Sequence, residues 1–328
     1  MARVFSGIQP TGELHLGNYL GAVRRWVPEQ REHDSIFCIV DLHALTIPKD
    51  PAELRSNTTE LVALLMASGL DPEACTLFAQ SHVHEHAELG WIMECTASFG
   101  ELNRMTQFKE KGAQSRFTSA GLFAYPALQA ADILLYDTDE VPVGDDQRQH
   151  IELARDLAER FNTRYGAGCL VVPKHTIAPF GARVMDLQTP TSKMSKSLAS
   201  PQGTILVLDS PEVISRKLKR AVTDNEGDVR YDPETKPGVA NLLSILAAAS
   251  GADPMRVAER YTQYGPLKAD AAEAVIEVLR PLQSRYVELV ADPSVVTKAL
   301  VVGAEKAQSI AAGTLARVKE AVGLLPRR

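Results

Sequence analysis

The sequence lacks the features that mark membrane, disulfide-stabilised and zinc-binding proteins. No apolar run in its 328 residues reaches the ~18–20 residues that a membrane helix needs. The four cysteines, Cys38, Cys75, Cys95 and Cys169, include no Cys-x-x-Cys pair, so we interpret them as reduced thiols. A strand is predicted from Arg3 onward, which leaves no room for a signal peptide. We therefore expect a cytoplasmic protein with no membrane partner.

Repeats and low-complexity linkers are also missing, and the composition, 45% hydrophobic and 23% charged, is typical of a globular protein. A chain of this length predicts two domains. The net charge of −6 argues weakly against a nucleic-acid partner, but the charge is uneven. Residues 209–328 carry 17 basic and 16 acidic side chains, a net charge of +1, which leaves −7 for residues 1–208. The dense basic run at 216–220 could contact phosphates or could be a solvated helix face.

Short apolar runs alternate with helical periods in the first half of the chain. Residues 35–40 form a continuous apolar run, as buried parallel strands do, and strands are also predicted at 3–7 and 76–80. Between them, Asp50 is predicted to cap a helix that buries Leu54 and stops at Gly69. This alternation predicts an α/β fold in which helices cover a parallel sheet.

The chain changes character near residue 206, after which it is predicted to be almost wholly helical. We therefore expect a catalytic domain at 1–205, with a helical insertion, and an α-helical domain at 206–328 whose last helix could pack back on the first domain. The predicted helices of the middle and C-terminal parts lie at 87–99, 122–136, 146–162, 237–250, 267–291 and 295–321.

Phosphate-binding chemistry is first indicated where the first strand runs through a Gly/Pro turn into a helix. Gly12 allows the backbone to turn and approach a ligand closely, and Gly17 leaves the helix start open to a flat base or ribose. Free N–H groups at a helix start attract phosphate, and His15 and Asn18 can donate hydrogen bonds to it. An ordinary tight turn between a strand and a helix would show the same glycines.

A second segment, Thr-Ser-Lys-Met-Ser-Lys-Ser at 191–197, has two lysines three residues apart among hydroxyl side chains. Positive charge held in place at a developing pyrophosphate is what catalysis on a triphosphate needs. A solvated polar loop is the usual interpretation of one such run. Together with the upstream turn, however, the run predicts a nucleotide site.

These two segments resemble the two signatures of the class I aminoacyl-tRNA synthetases. His-Leu-Gly-Asn at 15–18 looks like a variant of His-Ile-Gly-His, with Asn18 in place of the last histidine, and Lys-Met-Ser-Lys-Ser at 193–197 matches the second signature in every letter. The resemblance spans nearly the whole chain and implies a Rossmann-type catalytic domain followed by a tRNA-anticodon-binding domain. Within the class, further segments resemble the bacterial tryptophanyl-tRNA synthetases: 9–12, 17–22, 130–136 and 141–147.

The resemblance implies an ATP site built from separate parts of the chain. Contacts to the phosphates and adenosine are expected from Gln9, Pro10, Thr11, Gly17, Asn18 and the backbone of Val184. Gly144, Asp145 and Asp146 would hold the ribose, although the acids could instead cap the helix that follows. Lys193, Met194, Ser195, Lys196 and Ser197 would close over the triphosphate as a lid. Lys109 and Lys111 could reach the pyrophosphate from the opposite side or be exposed. The residues expected to act in catalysis are His15, Asn18, Lys111, Lys193, Ser195 and Lys196.

The resemblance also implies a tryptophan pocket centred on Asp132, which would accept the indole N–H. Asp132 lies in an apolar helix, where an unpaired carboxylate is costly, and a buried polar partner can reject a ligand without the matching group by roughly 10⁴–10⁵-fold. A structural aspartate satisfied within the protein is the alternative. Phe5, Gly7, Val40, Val141 and Val143 would wall the indole, and His43 and Gln147 would bind the amino or carboxylate end. Gln129 stands where many family members have Met, which puts the packing of this pocket in doubt.

The histidine-rich run at 82–86 invites a metal-site interpretation, but no further ligands lie nearby in sequence, so we expect no protein-bound metal. The predicted activity is formation of tryptophanyl-adenylate from ATP, with Mg²⁺ bridging phosphates, and transfer of the amino acid to the 2′-OH at the 3′ end of tRNA(Trp) by a homodimer. Three alternatives stay open: a tyrosyl-tRNA synthetase, a nucleotidyltransferase acting on a small phosphorylated substrate, and a non-catalytic paralogue that binds RNA or protein.

Overall fold

The sheet at the centre of the molecule is parallel throughout. A computed structural model describes residues 1–12, 14–105, 118–144, 147–177, 183–195 and 201–326. The strands of these residues are β1 (Arg3–Ile8), β2 (Asp34–Ile39), β3 (Thr76–Ala79), β4 (Glu140–Val143) and β5 (Lys174–Ile177). Their order is β3-β2-β1-β4-β5, and every neighbouring pair is parallel. This topology confirms the predicted α/β fold of Rossmann type. From β1 the sheet extends on one side through β2 and β3, and on the other side through β4 and β5. This reversal leaves a crevice between the carboxyl ends of β1 and β4, which is the expected ligand site.

Helices cover the sheet and then form the C-terminal part. The first, α1, comprises Leu16–Asn18, a π-helical stretch Tyr19–Val23 and Arg24–Glu32. The others that precede residue 200 are α2 (Asp41–Ala44), α3 (Pro51–Ala67), α4 (Glu85–Thr96), α5 (Phe99–Arg104), α6 (Ala120–Leu134) and α7 (Arg148–Tyr165). Those that follow are α8 (Pro211–Lys219), α9 (Pro237–Ser250), α10 (Pro254–Ala258), α11 (Tyr264–Ala291) and α12 (Pro293–Ala321). Within the part of the chain that the structure describes, we find no helix with the length and apolar character of a membrane span.

The ends of α3 show how local sequence sets an element. The Asp50 carboxylate accepts the backbone N–H groups of Ala52 and Glu53, both at 2.9 Å, and Pro51 occupies the first turn, where its missing N–H is harmless. At the other end Gly69 has φ +110°, a conformation that favours glycine. Both predicted limits are confirmed, but Leu54 is half-buried rather than buried, because the first turn of α3 lies at the surface.

The last helix, α12, packs against the edge strand β3. The two backbones approach so closely at Gly303 that a Cβ atom there would lie 1.8 Å from the carbonyl oxygen of Leu77. Lys306 of the same helix donates to the carbonyl of Pro72 at 2.7 Å. The helix thus covers an edge of the sheet that would otherwise expose unpaired backbone groups.

A short linking segment, residues 204–209, joins the two parts of the chain. On one side the N–H of Leu16 donates to the carbonyl of Ile205 at 2.8 Å, and the N–H of Val207 donates to the carbonyl of Leu14 at 2.9 Å. On the other side Gln283 of α11 donates to the carbonyl of Val207 at 2.8 Å. The segment is therefore hydrogen-bonded to both the start of α1 and the C-terminal helices.

One lysine of the basic run at 216–220 holds the linking segment from the side of α8. The ammonium of Lys217 donates to the carbonyl of Thr204 at 2.8 Å and to Asp209 at 2.6 Å, and the residue is only 7% exposed. The run therefore does not act as one solvated or phosphate-binding face. Its exposed cations are Arg216, Lys219 and Arg220.

Candidate active site

A cavity of about 770 Å³ opens at the carboxyl ends of β1 and β4, the position that the sheet topology favours. It brings together residues that the sequence separates by as many as 190 positions, from Phe5 to Ser195. The predicted site residues that line it are Phe5, Gly7, Gln9, Thr11, His15, Asn18, Val40, His43, Gln129, Asp132, Val141, Val143, Gln147 and Ser195.

Other predicted residues do not line this cavity, or lie outside the described residues. The first group comprises Pro10, Gly17, Gly144, Val184, Lys193 and Met194. The residues whose positions the structure does not describe are Lys109, Lys111, Asp145, Asp146, Lys196 and Ser197.

The turn after β1 forms one end of the cavity. Gly12 has φ +94°, so glycine is favoured at this point of the turn, and the N–H of Thr11 donates to the carbonyl of Gln9 at 2.9 Å. His15 caps α1 because its Nδ1 accepts the N–H of Asn18 at 3.3 Å. A neutral imidazole that accepts at Nδ1 carries its proton on Nε2, so Nε2 is the donor of this ring.

The two signature segments approach each other closely at Gly17. A Cβ atom on Gly17 would lie 3.1 Å from the His15 ring and 3.5 Å from Cβ of Met194, so Gly17 lies between them. Met194 is buried, with 1% exposure, whereas its neighbour Lys193 is exposed and Ser195 is half-buried. The buried side chain of Met194 thus anchors the second segment, while the side chain of Lys193 stays at the surface.

Backbone pairing fixes the second segment further. Lys193 forms an antiparallel bridge with Met185. The side-chain amide of Asn241 bonds both backbone groups of Met185, accepting its N–H at 2.8 Å and donating to its carbonyl at 2.9 Å. The carbonyl of Ser195 accepts the hydroxyl of Thr204 at 3.0 Å. The lysine-serine segment is thus tied to α9 and to the linking segment.

Asp132 lies at the other end of the cavity and is 1% exposed. Its Oδ1 accepts the side-chain amide of Gln80 at 2.6 Å and Nδ1 of His86 at 2.7 Å. Its Oδ2 pairs with Nε2 of His43 at 2.7 Å. Behind this group, Nε2 of His86 is 2.7 Å from the hydroxyl of Tyr136. The carboxylate is therefore hydrogen-bonded within the protein, as a structural aspartate would be. It also lines the cavity, as a substrate-binding aspartate would.

Ionisation in this cluster follows from burial and hydrogen bonding. Burial raises the pKa of Asp132, but hydrogen bonds and charge from His43 and His86 outweigh it and hold that pKa below its ordinary value. Burial raises the pKa of the adjacent Cys38 thiol well above its usual range, and it raises the pKa of Tyr125 to about 12. The cluster thus combines an ionised carboxylate with a neutral thiol and a neutral phenol.

Three residues at this end were missing from the sequence-based site. Tyr125 lines the cavity and hydrogen-bonds Nε2 of His150 at 2.7 Å. It precedes Gln129 by four residues and Asp132 by seven, so helical periodicity could have placed all three on one face of α6. Gln80 follows the buried strand β3 directly, where the carboxyl end of a parallel strand meets the site.

The third missed residue, His86, belongs to the histidine-rich run at 82–86. Rather than sharing a metal with its neighbours, it points inward to Asp132, whereas His84 is exposed and paired with Glu85. Among the described residues, no group of three or more His, Cys, Asp or Glu is arranged to hold a metal ion.

The sequence matches a family of known enzymes over most of its length. The family model described as tRNA synthetases class I (W and Y) matches residues 1–280. The tryptophan–tRNA ligase 1 of Streptomyces coelicolor is 54% identical over 99% of this chain and 98% of its own length.

Solved structures of tryptophanyl-tRNA synthetases also align with nearly the whole chain. The tryptophanyl-tRNA synthetase of Mycoplasma pneumoniae aligns with a TM-score of 0.92 and 37% identity, covering 99% of this chain and 98% of its own. That of Campylobacter jejuni, complexed with ADP and tryptophan, aligns with a TM-score of 0.84 and 34% identity, covering 98% of this chain and all of its own, 100%. The resemblance inferred from the signature segments is confirmed.

Proposed function

Since this chain belongs to the family of class I tRNA synthetases for tryptophan and tyrosine, we propose that it activates L-tryptophan with ATP and charges tRNA(Trp). The observation that carries the choice of tryptophan is the buried, ionised Asp132 at the closed end of the cavity, which suits one N–H donor in an otherwise apolar ring. The ligand-bound Campylobacter relative supports ATP and tryptophan as the substrates.

The proposed chemistry has two displacements. An oxygen of the tryptophan carboxylate attacks the α-phosphorus of ATP in line, the bond to the bridging oxygen breaks, and pyrophosphate leaves. The 2′-OH of the terminal tRNA ribose then attacks the acyl carbon of the adenylate, loses its proton, and AMP leaves. Catalysis is assigned to positioning and charge stabilisation rather than to a covalent protein intermediate.

The phosphate end of the site is assigned to the turn after β1 and to the lysine-serine segment. His15 and Asn18 line the cavity and would donate to phosphate oxygens, and Lys193 with Lys196 would neutralise the leaving pyrophosphate. ATP enters as its Mg²⁺ complex, with the ion held by phosphate oxygens and water, the arrangement that Mg²⁺ prefers. The ribose is assigned to Gly144, Asp145 and Asp146.

The amino-acid end is assigned to the residues around Asp132. Phe5, Val40, Val141 and Val143 would wall the indole, and His43 and Gln147 would bind the α-amino or carboxylate group. Gln129, half-buried on the cavity wall, would contact the ring edge.

The C-terminal helices are proposed to bind the tRNA anticodon arm. Support comes from the exposed cations Arg216, Lys219 and Arg220 on and beside α8, since solvent-facing Arg and Lys are the side chains that neutralise phosphates. ATP and tRNA are available in the cytoplasm, where we propose that the enzyme acts.

A second copy of this chain is proposed to cover the exposed aromatic side chains of α4 and α5. Trp91 is 67% exposed and Phe99 is 73% exposed, and the Phe99 ring lies 5.0 Å from that of Phe123. Large exposed aromatic side chains are typical of a protein interface. Light scattering should give a dimer mass for the wild type and a monomer mass for Trp91→Lys, and a monomeric wild type would refute the homodimer.

Amino-acid-dependent ATP–pyrophosphate exchange tests the proposed function. We expect exchange with tryptophan and not with tyrosine; exchange with tyrosine alone would assign the chain to the other branch of its family. Lys193→Ala should lower the exchange rate by roughly 10²–10³, as the loss of one charge-stabilising donor does. Lys298→Ala, which removes an exposed lysine of α12, is the matched control and should exchange at the wild-type rate.

A further inference from the structure

We propose that Gln80, His86 and Tyr136 are positioning residues that orient the Asp132 carboxylate so that it can accept one ring N–H of the substrate. The inference rests on the proposed function, because it requires Asp132 to be the partner of the indole. It assigns a role in selectivity to three residues buried behind the pocket, with exposures of 0% each.

Gln80 can adopt only one amide orientation. Its Oε1 accepts the backbone N–H of Leu42 at 3.1 Å, and its Nε2 donates to Asp132 Oδ1 at 2.6 Å. Because a backbone N–H can only donate, the oxygen of the amide must face Leu42 and the nitrogen must face Asp132. Since Leu42 lies in α2 next to His43, Gln80 also ties Asp132 to the helix that carries its other partner.

The protons of His86 are fixed by the groups on either side of its ring. An ionised carboxylate only accepts hydrogen bonds, so Nδ1 of His86 must carry a proton and donate to Asp132. Burial raises the pKa of Tyr136, so its hydroxyl keeps its proton and can either donate to Nε2 of His86 or accept a proton from it. In both cases the Tyr136 hydroxyl holds the His86 ring so that its Nδ1 proton points at Asp132.

The acceptor positions of Asp132 that the protein leaves open determine which hydrogen-bond donors the substrate must offer. A carboxylate has about four acceptor positions, two on each oxygen. Gln80 and His86 fill both positions on Oδ1, and His43 fills one on Oδ2. Among the described residues this leaves one position, on Oδ2. A ligand with one N–H fits it, whereas a ligand with sulfur at that place leaves a buried charge incompletely solvated.

The test compares tryptophan with its analogue in which sulfur replaces the indole N–H, using ATP–pyrophosphate exchange. His86→Gln and Tyr136→Phe should lower kcat/KM for tryptophan roughly tenfold, the lower end of the effect that partners of metal-binding side chains produce, and leave kcat/KM for the sulfur analogue nearly unchanged. The preference for tryptophan then falls by the same factor. His84→Gln is the matched control, because His84 has a side chain that is 72% exposed, and should keep the wild-type preference.

Equal losses for both amino acids in the folded variants would overturn the positioning role and leave a structural one. A second measurement uses the wild type, so it does not depend on the variants folding. Neutron diffraction should place a proton on Nδ1 of His86, directed at Asp132; an Nδ1 without a proton would refute the proposed positioning. If the wild type does not activate tryptophan at all, the proposed function fails, and the tautomer still reports on the network independently.

Discussion

Replacing Gly303 by alanine should weaken the attachment of α12 to the sheet, although alanine is the better helix former. The added Cβ would lie 1.8 Å from the carbonyl oxygen of Leu77, whereas real Cβ atoms essentially never lie within 3.0 Å of another heavy atom. Both atoms belong to regular elements, so no side-chain rotation can relieve the overlap. The helix must move away from β3 by more than about 1 Å.

The change in the free energy of unfolding for Gly303→Ala follows from two opposing contributions. Overpacking a well-filled contact costs about 1–3 kcal/mol, and this backbone clash belongs at the upper end. Exchanging glycine for alanine inside a helix gains about 1 kcal/mol, so the net loss for Gly303→Ala is about 2 kcal/mol. Gly313 of the same helix is the matched control, because a Cβ there meets nothing within 4 Å and only the gain remains.

Thermal unfolding followed by circular dichroism measures both variants. For a protein of this size about 1 kcal/mol corresponds to roughly 2–4 °C, so Gly303→Ala should melt about 4–8 °C below the wild type and Gly313→Ala slightly above it. If both variants melt above the wild type, the close approach of the two backbones is not a constraint, and the reasoning from packing is wrong.

Two further perturbations probe other contacts by chemical unfolding. Lys217→Met should lower the free energy of unfolding by about 2 kcal/mol, because it strands the half-buried carboxylate of Asp209, whereas Lys219→Met should change it by less than about 0.5 kcal/mol; equal effects would contradict an inward-facing lysine. The hydrogen bond from Arg160 lowers the pKa of Glu101 to about 2. A lowered carboxyl pKa contributes stability above the unfolded value of about 4.3 and loses it as pH falls toward 2. Arg160→Gln should therefore destabilise by about 1 kcal/mol at pH 7, after allowance for solvent, and by less at pH 3; a difference that does not change with pH would refute this.

Elements with a strong local signal were predictable from the sequence. The apolar run of β2 and the capping residues of α3 each fix their element without help from distant residues. The two signature segments were recognisable because ATP chemistry restricts both residue type and spacing. Asp132 was identified through the family resemblance, and its place in an apolar helix, where an acid needs a partner, supported that identification.

Elements set by tertiary contacts were not predictable in this way. Strand β4 contains Pro142, which argues locally against a strand. In β5 the residues Lys174, His175 and Thr176 are polar, so this strand shows no apolar run. The inward direction of Lys217 depends on Asp209 and the linking segment rather than on its basic neighbours. His86 looked like a member of a histidine run because its partners lie 46 and 50 positions away.

The linking segment has a consequence for recombining parts of related synthetases. The boundary expected at 205/206 runs through a stretch whose backbone is bonded to Leu14 and Leu16 on one side and to Lys217 and Gln283 on the other. A chimera joined there would unite halves from different parents in the middle of a shared hydrogen-bonded unit. Exchanges that keep this stretch and its partners on both sides from one parent should preserve the contact between the two ATP signatures.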